Sequence, residues 1–243
     1  MSDKQKDINF ACSQCSKIRK KDGKTYCGTN DLEKIPRPKN CPSGEQYKDI
    51  VNESLKLYKD NPKDAELAKM AAMTEGMCYV STPDSEIVIA RHTRVEDTIV
   101  FAKLMNYKKI GIGTCIGLLD ETYELEKIFQ AQGFQTFSIC CKVGSIDKQE
   151  LGLPEKHKIR PNTFEAMCNP IAQAKFLNCV KTDMNIIVGL CVGHDMLFTK
   201  YADAPVTTLV AKDRVTGHNP VSVLYNQNFY YKRLQKQKMN LDI

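Results

Sequence analysis

Ile110-Gly111-Ile112-Gly113-Thr114-Cys115-Ile116-Gly117 and, further along, Ile186-Ile187-Val188-Gly189-Leu190-Cys191-Val192-Gly193 are two runs of one design. Each opens with a short apolar segment of the kind that forms a strand buried on both faces, then breaks at glycine and cysteine where a helical pattern begins. Strands of this sort belong to parallel sheets, because the chain returns for the next parallel strand through a helix. Aligning the runs superposes Gly113 on Gly189, Cys115 on Cys191 and Gly117 on Gly193, and predicts the same strand, cysteine and helix turn built twice.

Working outward, Thr93 and Glu96 have capping-box spacing, and Val95, Ile99, Ala102 and Met105 follow at helical spacing, predicting a helix to about Asn106. After the strand at Lys109 to Gly113, the pattern Leu118, Leu125, Ile128 and Phe129 predicts a helix that stops at Gly133. A second strand is expected at Phe134 to Ile139, and Asn169 with Pro170 marks the start of another helix. A third strand at Asn185 to Leu190, a short helix around Asp195 to Tyr201, a fourth strand at Val206 to Val210 and a polar helical tail complete the reading. The alternation predicts an α/β fold over residues 93–243, with a mainly parallel sheet flanked by helices in a Rossmann-like three-layer arrangement. Residues 51–92 read as a helical connector.

Residues 1–50 differ in kind. They hold few branched apolar residues but carry Pro36, Pro38, Pro42, Gly23, Gly28 and Gly44, so they cannot be held together by a core. They do carry Cys12-Ser13-Gln14-Cys15, then Cys27 and Cys41. A C-x2-C pair grips an ion from a tight turn, and two further cysteines complete a tetrahedral shell whose ligation supplies the missing folding energy. A four-cysteine metal module is therefore expected, with zinc as the simplest occupant and an iron–sulfur cluster as the alternative.

The 243-residue chain contains eleven cysteines and a formal charge of +6. The N-terminal MSDKQKDINF has no apolar signal, and no apolar run approaches the roughly 20 residues that cross a bilayer, so a cytoplasmic protein without membrane contact is expected. In that reducing compartment the cysteines are metal ligands, reactive thiols or core residues, not disulfides. Basic residues are spread out with no aromatic platform beside them, which argues against a nucleic-acid partner.

In an open parallel sheet, ligands bind beyond the carboxyl ends of the strands near the switch in strand order. Cys115, Cys140, Cys141 and Cys191 follow strands there, and Cys168 precedes a helix. Cys115, Cys141 and Cys191, with Cys168 or His194 as a fourth, are candidates to hold an iron–sulfur cluster or to react as thiols, and the simple alternative is that small cysteines fill tight turns. His194 and Asp195 offer proton transfer or ligation, while Lys212, Asp213, Arg214, His218 and Asn219 share the same edge and suit a small anionic ligand. Cys179 lies on an apolar helical stripe and reads as packing. The glycines 111, 113 and 117 resemble a dinucleotide turn, but the second strand ends in Cys140-Cys141-Lys142 and lacks the acidic residue that holds a ribose.

The phrases Met167-Cys168-Asn169-Pro170-Ile171-Ala172-Gln173-Ala174, Gly189-Leu190-Cys191-Val192-Gly193-His194-Asp195-Met196-Leu197-Phe198 and Val210-Ala211-Lys212-Asp213-Arg214-Val215-Thr216-Gly217-His218-Asn219-Pro220 resemble the domain-of-unknown-function family 1847. The resemblance includes the Cys12, Cys15, Cys27 and Cys41 module and the Cys141-Lys142-Val143-Gly144 turn. It implies metal binding and an anaerobic setting, which favours iron–sulfur chemistry in the crevice, and it supplies no reaction. Two further expectations remain beside a metal-dependent protein acting on a small anionic or sulfur-containing molecule. One is a non-catalytic zinc protein that binds a ligand, a protein partner or another copy of itself, and the other is a thiol redox enzyme without a central metal.

Overall fold

The computed structural model describes residues 10, 12–15, 26–28, 37, 41–82 and 87–239. The chain divides into two compact units, Met1–Lys69 and Met70–Ile243.

In the first unit, single helical turns at Cys12–Gln14, Tyr26–Gly28 and Glu45–Tyr47 precede helix α1, Lys48–Asp60. Helix α1 buries none of its residues, whereas Cys41 is almost fully buried. The Phe10 and Tyr47 rings meet edge to face at 5.1 Å. Helix α2, Pro62–Cys78, starts with proline at its first position, where the missing N–H costs nothing, and Asn61 Oδ1 accepts from the Lys63 amide. The unit boundary falls within this helix.

In the second unit the chain is helical only as far as Cys78, short of the helical connector expected to residue 92. Strands β1, Tyr79–Ser81, and β2, Val88–Ala90, pair antiparallel with Tyr79 opposite Ala90. Tyr79, Val80, Val88 and Ile89 are the β-branched and aromatic types that favour a pleated surface, and they override the helical trend before them. Helix α3, Arg94–Leu104, then opens with the complete Thr93–Glu96 capping box.

Four parallel strands follow: β3 Lys109–Thr114, β4 Gln135–Cys140, β5 Met184–Val188 and β6 Val206–Val210, in the spatial order β4-β3-β5-β6. Between them run helices α4 Leu119–Ala131, α5 Pro170–Cys179 and α6 His194–Tyr201, with short helices α7 Val221–Tyr225 and α8 Arg233–Lys236 after β6. Strand alternation sends Ile110, Ile112, Ile186 and Val188 to one face, where they pack with Ala102 of α3 and with Leu125 and Phe129 of α4. Ile187 faces the other way, against Ala174 and Leu177 of α5 and Phe198 of α6. The result is the expected α/β fold: a parallel sheet between two layers of helices. Gly113 lies on the second face, where a Cβ would stand 2.7 Å from the Phe198 ring, so glycine there lets α6 approach the sheet.

Strand β6 is an edge. The carbonyls of Pro205 and Val210 accept from the amides of Asn185 in β5 and of Gly189 just after it, while the carbonyl of Thr208 accepts from Arg94 Nε at 2.9 Å and Thr207 Oγ1 accepts from Arg94 Nη2.

The strand order reverses between β3 and β5. The chain moves from β3 out to β4, then crosses back to begin β5 on the other side of β3. The carboxyl ends of β3 and β5, Thr114 and Val188, are register partners at this reversal.

A candidate metal and thiol site at the strand ends

Cys115 leaves β3 in extended conformation and caps the turn Ile116–Leu118, its amide donating to the Val188 carbonyl at 3.0 Å. On the other flank the Cys141 amide donates to the Thr114 carbonyl at 2.8 Å, so Cys115 and Cys141 emerge side by side. The Asn169 amide donates to the Cys141 carbonyl at 2.8 Å, which brings Cys168 to the same place. Asn169 in turn caps α5, with its side chain accepting from the Ala172 amide. Gln173, one turn into α5 and fully buried, donates to the carbonyls of Thr114 and Ile139 and ties the ends of β3 and β4 together.

The electrostatics follow from this crowding. Cys141 is 2% exposed, and its pKa is raised first by its bonds to Cys115 and Cys168 and then by burial, against the Ile116 amide that donates to its sulfur at 3.3 Å. Cys115 is lowered to about 5, first by the bond from Cys141 and then by the Gly117 amide and Lys212, with burial opposing. Cys168 is also lowered to about 5, by Cys141 first and then by the charges of Lys142 and His194. Within the trio the middle sulfur is thus pushed toward the thiol and the two outer ones toward the thiolate, and the three titrate as one group.

Cys191 joins through a cation. Arg214 Nη2 lies 3.1 Å from Cys191 Sγ, and the guanidinium pKa is raised by Cys191 first, with Cys115 and Cys168 adding their charge. Asp213 shapes the loop that delivers Arg214: its carboxylate accepts from the Val215 and Thr216 amides, and its own amide donates to His218 Nδ1. His194 acts on Cys168 by charge, and the Asp195 carboxylate accepts from the Gly193 and Met196 amides at the start of α6.

The two runs do not form the same turn. The sheet sets Ile186 against Ile112, whereas the sequence echo sets it against Ile110. Gly189 (φ +69°) and Gly193 (φ +87°) turn the chain through left-handed backbone, while Cys115 stays extended. A Cβ on Gly189 would stand 2.1 Å from Leu118 Cδ1, so this glycine also makes room for the turn after β3.

Beside the sulfurs lies a cleft of about 640 Å³ lined by Ile116, Lys142, Ser145, Arg160, Phe164 and Glu165, among others. Its wall is braced by Lys158, whose ammonium is buried against Glu155 (2.8 Å) and Asp147 (3.1 Å).

In the first unit, Cys12 and Cys15 sit at one helical turn, Cys27 at the next and Cys41 beyond it. The Cys15 pKa is raised by burial first and then by the charges of Cys41, Cys12 and Cys27, and Cys27 Sγ lies 3.0 Å from Ser43 Oγ.

A further group escaped the sequence reading. Cys78, His92 and Asp97 hold their ligand atoms within 4.8 Å of one another and could hold a metal ion. They meet because a hairpin folds Cys78 back beside His92, and the signal for it was the pair of β-branched runs flanking Pro83.

The thiolates make a pH prediction for reduced, metal-free protein. Because folding lowers Cys115 and Cys168 below the ordinary 9.0, their contribution to stability is complete above that value and is lost as pH falls through about 5. Ultraviolet thiolate absorbance should show these two groups titrating near pH 5; titration of every thiol near the ordinary value would contradict the arrangement.

Among the described residues no helix is long and apolar enough to cross a membrane. Residues 41–209 match the family described as "Protein of unknown function (DUF1847)". The match contains Cys78, His92, Asp97, Cys115, Cys141, Cys168 and Cys191, and it leaves outside it Cys12, Cys15, Cys27 and Arg214. An uncharacterised protein of Methanocaldococcus jannaschii is 43% identical over 201 residues, an alignment covering 82% of this chain and 96% of that protein. The resemblance to this family read from the sequence is thereby met, and the chain belongs to the DUF1847 family.

Proposed function

We propose that this DUF1847 protein is a cytoplasmic metalloprotein in which Cys115, Cys141, Cys168 and Cys191 hold an iron–sulfur cluster at the reversal of strand order. A small anionic or sulfur-containing molecule would reach it through the cleft beside Lys142 and Arg160. The observation that carries the reading is the trio of sulfurs, Cys141 in contact with Cys115 on one side and Cys168 on the other, with Cys191 held beside a guanidinium. Cysteine thiolates are the usual ligands of such clusters. Lys142, Lys212, Arg214 and His194 supply positive charge that offsets the negative charge of thiolates and cluster. Ligation would release the proton from Cys141. All eleven cysteines are free, in keeping with a reducing compartment. Within the same proposal Cys12, Cys15, Cys27 and Cys41 hold a structural zinc, supported by their joint charge on Cys15 and by the lack of any buried residue in α1.

The test is iron, sulfide and visible absorption on protein purified without oxygen and then incubated with ferrous iron and sulfide. Broad visible absorption with bound iron and sulfide is expected. Colourless protein with neither after that treatment overturns the cluster.

A second reading is favoured by the contact of Cys141 with Cys168. In thiol–disulfide exchange the Cys168 thiolate attacks one sulfur of an external disulfide and expels a thiolate, which takes up a proton. The Cys141 sulfur then gives up its proton and displaces the second thiol, leaving a Cys141–Cys168 disulfide and two reduced product thiols. Colourless protein that consumes a small disulfide stoichiometrically would support this route.

A further inference from the structure

Cys78, His92 and Asp97 include none of the cysteines invoked above, and the sequence places them by local rules. Helix α2 ends at Cys78, and the β1–β2 ladder continues one step beyond its first pair, the Arg91 amide donating to the Cys78 carbonyl at 2.8 Å. Arg91 Nε clamps the Met77 carbonyl at 3.0 Å, so the residue after Arg91 is held beside the end of α2. That residue is His92, and Cys78 Sγ lies 3.7 Å from its carbonyl oxygen. Thr93 caps α3, so His92 precedes the cap and Asp97 occupies the fourth helical position. Those two positions meet across a helix start and usually carry an apolar pair. Here they carry an imidazole and a carboxylate.

The contact is a poor ion pair. His92 Nδ1 and Asp97 Oδ1 are 3.3 Å apart, longer than the about 2.7–2.9 Å of a charge-assisted hydrogen bond. Both atoms are shut off from solvent with no hydrogen-bond partner. Leaving two such groups unsatisfied costs stability, and an ion bound between them would satisfy both. A tetrahedral ion with bonds of about 2.0 Å to nitrogen and to oxygen holds those donors about 3.3 Å apart. The third donor, Cys78 Sγ, lies within 4.8 Å of both and belongs to a buried residue.

We infer that Cys78, His92 and Asp97 bind one divalent ion of the zinc class, through one sulfur, one nitrogen and one carboxylate oxygen. Sulfur in the set selects against magnesium and calcium, which take oxygen ligands. Three protein ligands leave a fourth coordination place, and Asp97, with its side chain 34% exposed, opens the group to water. The site is independent of the proposed cluster and clips the hairpin to the start of α3.

The test uses the full chain, reduced and stripped by a chelator, with the alkylation rate of each cysteine read by peptide mass spectrometry. Added zinc slows labelling of Cys78 by about tenfold once free zinc exceeds its dissociation constant tenfold. Magnesium leaves Cys78 unchanged, and exposed Cys179 serves as the internal control. His92→Ala and Asp97→Asn each remove the zinc protection at Cys78. Equal Cys78 labelling with and without zinc in the unmutated protein overturns the site, as does full protection persisting in both variants. Cys115 and Cys168 are read from separate peptides, so failure of the crevice proposal is recorded independently.

Discussion

Cys141→Ala should abolish the metal binding proposed for the crevice and slow alkylation of both neighbouring thiols. The expectation follows from its position in the middle of the trio. Its bond is the largest cause lowering Cys115 and also the largest lowering Cys168, so one substitution acts on two sulfurs that it does not alter. Lys212 remains beside Cys115, and Lys142 and His194 remain beside Cys168, so the thiolates weaken without disappearing. At pH 6 the labelling rate of each should fall by at least about tenfold, while iron bound after anaerobic reconstitution drops to background. Cys140→Ala is the matched control: it is the adjacent thiol, its sulfur accepts only weakly from the Lys142 amide at 3.5 Å, and it takes no part in the trio. Iron retention and fast labelling in the Cys141 variant would remove the crevice from consideration.

The second large effect is mechanical. Gly113→Val is expected to destabilise the second unit by about 3 kcal/mol, at the upper end of the cost of overpacking. The added Cβ would enter at 2.7 Å from a Phe198 ring that is 0% exposed and packed with Ala174 and Leu177, so the ring has no free direction in which to retreat. Phe198→Leu by itself should also be costly, because it opens a hole in that layer. Combining Gly113→Ala with Phe198→Leu should cost less than the sum of the two, since the smaller side chain vacates the space the new methyl needs. Urea unfolding of the four proteins measures this coupling, and strict additivity would show that the two positions do not touch.

These cases show what can be read from the chain alone and what cannot. All four sheet strands fall within a residue or two of the pattern read from short apolar runs, because strands buried on both faces leave a signal that needs no partner to interpret. The Thr93–Glu96 box and the Asn169-Pro170 start are equally local, their hydrogen bonds being made within a single turn. That Cys115 and Cys141 emerge at one edge was reachable because the ends of parallel strands share that edge whatever their order, whereas Cys168, read only as one alternative fourth member beside Cys191, reaches Cys141 from the start of a helix. Register was beyond reach: the echo aligned the two runs by composition, while the sheet offset them to satisfy packing on both faces. Gln173 gave no sign, since a glutamine in a helix is ordinary until two strand carbonyls are placed beneath it. Cys78, His92 and Asp97 were hidden for a related reason: their proximity depends on a hairpin inside a stretch whose composition is dominated by the helix before it.

The guanidinium of Arg94 at the rim of the sheet sets a rule for self-association. A parallel sheet ending in an uncapped strand invites a neighbour to extend it, the route by which folded proteins stack into filaments. Any strand docking along β6 would first have to evict a cation that already satisfies the Thr208 oxygen and the Thr207 hydroxyl. Removing that cation, as in Arg94→Ala, would expose a receptive border, and light scattering on concentrated protein would register its growth.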